Sequence, residues 1–575
     1  METYDDKNIF NSFVNSLDLH PIKLGENNKP EYVWSNILQE KILQFSYQLV
    51  RTSNIDDLNQ KHREILHEIF EKNDKEMISL MFKMIAHTRD IVKGKGEYNL
   101  SYMMLFNWCK YNVNEVKKMI LYMVSSNFLE TPYGSWKDIK YFLDYCRKEQ
   151  YNVDAEWNQN IDLVRKFAIS LVNMQIYTDN KMLKEGLNIS LCAKWVPREN
   201  KKFGNQFGLY AADYYREQMN FAEDKDLTPP QMSYAKMTYR KLLTRLNRSL
   251  DTAQIKMCKK QWSLLIFNRL TSITLDKQKY ALMFEDKNNK LREDYEDNYS
   301  DKQDRMECRR RFIEWKNNQT TLKGTTVDMF SFVKSAIQLI AHPSPDIIDV
   351  LNKQWKGSEI MKGQMDFMIP MVDTSGSMSC DNNIPLYNAI GLGIKIAERS
   401  LLGKRCLTFS NDPTWINMEQ TNSFVDMVKM VRDAEWGMNT NFNAAMELIL
   451  KHIVASKLSF DDVSKLKLVV LSDMQFDDAD INSTTIDKEI EDKFSEAGIK
   501  ISGKPYRPPR IIFWNLRKTD GFPSVSYRPG VCMISGYSPN LIEQFIKEGQ
   551  QALEEYTPFN VLKGMLNIER YNILL

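Results

Sequence analysis

The chain has 575 residues, 43% apolar and 26% charged, which excludes global disorder and is too long for a single core, so two or three domains are expected. The net charge of +2 is unevenly laid out: residues 1–345 hold 52 Lys and Arg against 45 Asp and Glu, and residues 346–575 hold 25 against 30. The first part therefore tolerates phosphate-rich partners and the second suits cations, although a basic helical surface also serves as an ordinary solvated face. No run of 18 apolar residues occurs and METYDDKNIF lacks a signal-peptide pattern, so neither a membrane span nor a leader is expected. Eight scattered cysteines, with no CxxC or zinc spacing, read as reduced thiols in a cytosol-like compartment.

Taken in chain order, the first half reads as helix after helix. In Lys75–Ile91 the residues Met77, Leu80, Met81, Met84 and Ile85 fall at helical spacing, and Val164, Phe167, Ala168, Leu171 and Val172 repeat the pattern. Segments 36–51, 101–123, 136–148, 232–250 and 326–341 look similar, so residues 1–345 are expected to form an all-α, helical-repeat domain. The many methionines are flexible core filler. Residues 285–311 are strongly charged and predict an exposed helix or loop. Its Arg309, Arg310 and Arg311 either contact phosphate or pair with neighbouring acids on a solvated face.

The pattern changes after His342-Pro343-Ser344-Pro345, which suits a linker. Beyond it, apolar runs at 367–372, 405–409, 466–471, 511–515 and 531–535 alternate with helical stretches near 385–400, 442–455, 485–497 and 539–550. This predicts a doubly wound, Rossmann-like α/β domain over 360–575 with a parallel sheet covered on both sides. Ligands of such sheets bind beyond the carboxyl ends of the strands.

Every candidate residue sits at such an end. Asp373-Thr374-Ser375-Gly376-Ser377 follows the first strand, Asp473 follows LKLVVL, and Thr440 precedes a helix. Asp373, Ser375, Ser377, Thr440 and Asp473 offer hard oxygen donors with no imidazole or thiolate. That set suits Mg²⁺, with Mn²⁺ or Ca²⁺ as alternatives, rather than zinc. A cation with few carboxylates on it gains from one more anionic oxygen, so it can bridge to an acidic group of a protein partner. Asp477, Asp478 and Asp480 form an acidic loop, read as solvated.

These residues resemble the metal-ion-dependent adhesion site (MIDAS) of von Willebrand factor A domains. The resemblance implies that Ser375, Ser377 and Thr440 ligate directly or through water, and that Asp373 and Asp473 hold waters or the ion. Met438-Asn439 stands where that family often has Gly-Gly. In the first half, His87-Thr88-Arg89-Asp90-Ile91-Val92-Lys93-Gly94-Lys95-Gly96-Glu97, Gly134-Ser135-Trp136-Lys137-Asp138 and Ser190-Leu191-Cys192-Ala193-Lys194-Trp195-Val196-Pro197 are similar to signatures of an uncharacterised family of cytoplasmic and large-DNA-virus proteins. That family pairs a helical domain with an A domain. The architecture is similar to that of the Ro RNA-binding autoantigens, whose helical TROVE domain binds noncoding RNA; this is an analogy of fold and domain order.

Gly94-Lys95-Gly96 is not a P-loop. Gly94 reads as a helix stop, with a network at Arg89 and Asp90 fixing the loop. Trp136 and Trp195 read as core anchors, and the adjacent Lys137 and Lys194 keep RNA contact open. Six dispersed histidines and the absence of a GxSxG elbow argue against catalysis. The expectation is a non-enzymatic protein without a nucleotide cofactor or membrane association. It would bind structured noncoding RNA through the helical half and an acidic protein ligand through the cation. The alternative is an assembly scaffold or virion component that uses the same ion site without RNA. The expected location is the cytoplasm, or a host cytoplasm or virion for a viral chain.

Overall fold

The computed structural model describes residues 22–24, 30–125, 129–219, 221, 226–286, 291–292, 299–358, 367–409, 413–434, 442–475, 488–519, 521–541 and 557–572. The chain divides into two compact units, each built from separated stretches. One comprises Met1–Lys61, Leu275–Lys277 and Thr320–Ile568; the other comprises His62–Thr274, Gln278–Gln319 and Glu569–Leu575.

The second unit is helical. Its helix Lys75–Arg89 starts where the Asp74 carboxylate accepts the Met77 N–H at 3.1 Å, and it stops at Asp90. The stripe foreseen in the sequence is buried, with Leu80, Met81, Met84 and Ile85 inside. The apolar run 101–123, expected as one helix, is two: Tyr98–Trp108 and Val113–Val124. The Asn112 side chain accepts the Asn114 and Glu115 N–H groups and starts the second. The 30-residue helix Ala155–Lys184, capped by Asp154, spans about 45 Å. It packs against Val113–Val124, Gly204–Met219 and Pro229–Ser249. Of the charged stretch 285–311, Glu285 and Leu291 form a lone antiparallel bridge and Tyr299–Asn317 is helix; residues 287–290 and 293–298 lie outside the described residues.

Each of the three signature motifs of this unit holds a network of buried or half-buried hydrogen bonds. The Arg89 guanidinium donates twice to Asp138, at 2.6 and 2.8 Å, both side chains being buried. Tyr102 and the Ser135 N–H complete the Asp138 carboxylate. Gly134 is required because a Cβ there would lie 2.7 Å from Asp138 Oδ2. Gly94 likewise sits where a Cβ would meet the His87 carbonyl oxygen at 1.9 Å. That approach lets Lys95 N–H donate to His87 O and Glu97 N–H to Thr88 O. Asp90 receives Arg570 and Tyr571 from the short helix Glu569–Asn572. In the third motif, Ser190 donates through N–H and hydroxyl to Asp179 and holds the Cys192 N–H.

The other unit is built on a six-stranded sheet. The strands are β3 (Met368–Asp373), β4 (Arg405–Phe409), β5 (Trp415–Asn417), β6 (Lys467–Ser472), β7 (Arg510–Asn515) and β8 (Val531–Ser535), in the order β5-β4-β3-β6-β7-β8. Five strands run parallel, but β5 pairs antiparallel with β4, so the sheet is mixed rather than wholly parallel as expected. The three residues of β5 were too few to show a pattern. Pro370 lies in the central strand β3 and has no N–H to give; the ladder to β4 begins one residue later, at Met371. Helix Cys380–Ala397 packs on β3, β4 and β6.

Two boundaries differ from the sequence reading. His342–Pro345 is a tight turn between helices Met329–Ala341 and Pro345–Lys356, not a domain linker. Pro345 occupies the first turn of its helix, and both helices belong to the sheet-containing unit. The helix Leu38–Gln48, assigned from sequence to the helical half, also belongs to the sheet unit. Its Tyr47 and Ser46 carbonyls accept from Asn515 and Ser535, at the ends of β7 and β8. Gln48 accepts the Thr519 N–H and donates to the Gly521 carbonyl, and Glu40 accepts the Ser526 N–H. A hairpin of β1 (Ile22–Leu24) and β2 (Pro30–Tyr32) adds a bridge from Tyr32 to Phe522. No described helix is long and apolar enough to cross a membrane.

Candidate metal centre

The chain leaves β3 toward β4 and β5, then returns to β6 on the other side of β3. That reversal puts the topological switch point, where ligands of such sheets bind, beyond the carboxyl ends of β3 and β6. Asp373 is the last residue of β3, and Asp473 follows the last residue of β6. Both are fully buried.

The turn after β3 is fastened to its own aspartate. Asp373 Oδ1 accepts the Ser375 N–H at 2.9 Å, and the Ser375 and Ser377 hydroxyl oxygens are 3.0 Å apart. The Asp-x-Ser-x-Ser spacing thus brings one carboxylate and two hydroxyls together. Ser472, the residue before Asp473, donates its hydroxyl to Asp373 Oδ2 at 2.5 Å and accepts the Met474 N–H at 2.8 Å. The two strand ends are therefore cross-linked through Ser472. Met474 has φ 66°, an uncommon conformation for a side chain of its size. After the Ser377 turn, Asp381, Asn382 and Asn383 also lie at positive φ before the helix runs regularly. Asp and Asn tolerate that region best.

Burial and the neighbouring Asp473 carboxylate push the Asp373 carboxyl up to about 7. Two buried acids that repel each other, beside the Ser375 and Ser377 hydroxyls, are a donor set that a hard divalent cation relieves. Asp373, Ser375, Ser377 and Asp473 are the described residues that would hold it. Thr440 lies outside the described residues, as do Asp477, Asp478 and Asp480. Thr374, between the ligand candidates, is buried with its hydroxyl unpartnered.

Arg517 was not singled out from the sequence. It lies two residues beyond β7, where Asn515 Oδ1 accepts its N–H, and its Nη1 donates to Asp473 Oδ2 at 2.9 Å. The signal was available only through topology, since β7 is the neighbour of β6.

The other sequence candidates fall into two groups. Arg309 donates to the Met283 carbonyl, Arg310 is paired between Glu307 and Glu314, and Arg311 lies over the Phe267 ring. These three serve separate local contacts. Lys194 lies at Trp195, its Nζ 5.5 Å from that ring centre, while Lys137 precedes by one helical turn Lys140, whose Nζ is 4.9 Å from the same ring and which Lys137 repels.

Residues 368–566 match the model of a domain of unknown function, DUF7788, and residues 148–298 match another, DUF2828. The chain is also 27% identical over 500 residues to the uncharacterized protein L728 of Acanthamoeba polyphaga mimivirus, across 85% of this chain and 79% of the relative. The first match spans β3 through helix Pro558–Leu566, and so contains Asp373, Asp473 and Arg517.

Proposed function

We propose that this protein is a non-enzymatic binding protein whose sheet unit is of von Willebrand factor A type and holds a divalent cation, Mg²⁺ in preference to Mn²⁺ or Ca²⁺, at the β3/β6 edge. The cation would capture a carboxylate of an acidic protein ligand. One observation carries the reading: Asp373 and Asp473 are fully buried at the point where strand order reverses, accompanied by hydroxyls. A cation held by hydroxyls and buried acids keeps Lewis acidity for one outside oxygen.

The test is terbium luminescence and calorimetry with Mg²⁺ on the full chain. Wild type is expected to bind one ion, and Asp373→Ala, Asp473→Ala and Ser375→Ala to lose it while remaining folded. Capture of an acidic peptide should then require Mg²⁺ and fail with EDTA. Ion binding that survives both aspartate substitutions would place the metal elsewhere and end this reading. The alternative, an assembly scaffold or virion component, would use the same ion site to bridge to an acidic partner without any part for RNA.

A further inference from the structure

The helical unit carries a basic surface that the cation site does not explain. Lys137, Lys140 and Tyr141 share one face of helix Lys137–Glu149. The short helix Cys192–Trp195 brings Lys194 and Trp195 to it, and the following segment adds Arg198. Lys140 Nζ lies 4.9 Å from the centre of the Trp195 ring and 5.6 Å from that of Phe203; Lys194 Nζ lies 5.5 Å from Trp195. Trp195 itself is half-buried, so part of the indole meets solvent.

The charges here are of one sign. Among the described residues, none of Lys140, Lys194 and Arg198 is paired with a carboxylate. Glu199, next to Arg198 in the chain, is committed to Lys236 and Arg240. Burial and the charges of Arg198 and Lys137 hold the Lys140 amine below the usual lysine range. Like charges gathered on an indole are relieved by an anion from outside. The cleft beneath them, lined by Trp136, Lys140, Cys192, Trp195 and Tyr210, has only about 10 Å³, room for one water. A ligand must therefore lie across the surface rather than enter it, which suits a chain better than a compact molecule.

We propose that Lys137, Lys140, Lys194, Trp195 and Arg198 form a binding surface for single-stranded nucleic acid, with the cations on successive phosphates and a base packed against Trp195. A single strand presents both phosphates and unpaired ring faces, and a duplex hides the latter. An acidic peptide would use the charges but gain nothing from the indole. This surface does not depend on the cation reading: EDTA is expected to leave it unaffected.

The test is fluorescence anisotropy of the full chain with a labelled 15-nucleotide oligouridylate over a range of salt. Wild type should bind with a steep salt slope. Lys140→Gln and Lys194→Gln should each flatten that slope by about 0.7. Trp195→Leu should weaken binding between about fivefold and a hundredfold at every salt concentration without changing the slope. Lys140→Arg should retain binding, and Arg310→Gln should leave both quantities unchanged. Circular dichroism melts check that each variant is folded, and the surface lysine variants carry the test if Trp195→Leu is not. No binding at low salt overturns the proposal. So does wild-type affinity in both lysine variants, or competition by polyglutamate or inorganic polyphosphate as strong per charge as by the oligonucleotide.

Discussion

Asp90 and Arg570 close a bidentate ion pair across 480 positions of chain, with Nε–Oδ2 2.6 Å and Nη2–Oδ1 2.9 Å. Asp90 is fully buried and also accepts the Tyr571 hydroxyl at 3.0 Å. Arg570 lies over the Tyr133 ring as well, and its carbonyl accepts the Tyr133 hydroxyl. Removing one partner leaves a buried charge unpaired, so Arg570→Met is expected to cost about 3–5 kcal/mol. Urea denaturation measures this; a loss below about 1 kcal/mol would show that the pair is dispensable.

The loop that presents Asp90 gives a second expectation, drawn from two neighbouring glycines. A Cβ at Gly94 would collide with the His87 carbonyl, whereas Gly96, at φ 72°, has open space around it. Gly94→Ala therefore requires backbone movement and should cost about 3 kcal/mol or more. Gly96→Ala meets only the left-handed backbone penalty of about 1–2 kcal/mol. Thermal melts of the two variants should rank in that order, and the reverse ranking would contradict the loop geometry.

Acid should weaken the helical unit well above the carboxylate range. Burial, then Arg63, pushes His62 down to about 3, and burial, then Lys95, does the same to His87. Both are depressed below the unfolded value of about 6.5, so the unfolded chain takes up these protons first. Stability is then fully present above about pH 6.5 and lost as pH falls toward about 3, roughly 2 kcal/mol per histidine by pH 5. The urea midpoint should fall between pH 7.5 and 5, and less so in His62→Gln and His87→Gln. A midpoint flat over that interval would count against neutral buried imidazoles.

Arg517 and a divalent cation would compete for Asp473. With the guanidinium 2.9 Å from Asp473 Oδ2, part of the carboxylate's charge is already answered. On the cation reading, Arg517→Gln frees the acid and should tighten Mg²⁺ binding about tenfold, the worth of one charge-assisted hydrogen bond. Terbium displacement titrations compare the two; unchanged or weaker affinity would mean that the arginine supports the site instead.

Much of this was visible in the sequence wherever the signal was local. FMIPMV and LKLVVL read as strands because parallel strands buried on both faces are unbroken apolar runs, and Asp373 and Asp473 were found at their ends. The helix break at Asn112 was missed because apolar residues continue on both sides of it, although Asn at a helix start was the clue. Partnerships across the fold were not legible: nothing near Arg89 names Asp138, and nothing near Asp473 names Arg517. Of Arg309, Arg310 and Arg311, the pairing with neighbouring acids on a solvated face holds for Arg310, which meets Glu307 and Glu314, but not, among the described residues, for the other two. Successive helical positions point about 100° apart, and each arginine has its own local partner.

The interleaving of the two units bears on how the chain is made. A ribosome releases His62–Thr274 long before Glu569–Asn572, so the helical unit must wait through the synthesis of the whole sheet with Asp90 buried and its ion partner still missing. The sheet unit faces the opposite delay, since helix Leu38–Gln48 emerges early and must stay available until β7 and β8 exist to receive it. Neither unit can reach its final state from one continuous piece of chain, and translation speed across the middle of the message becomes a variable in whether both do.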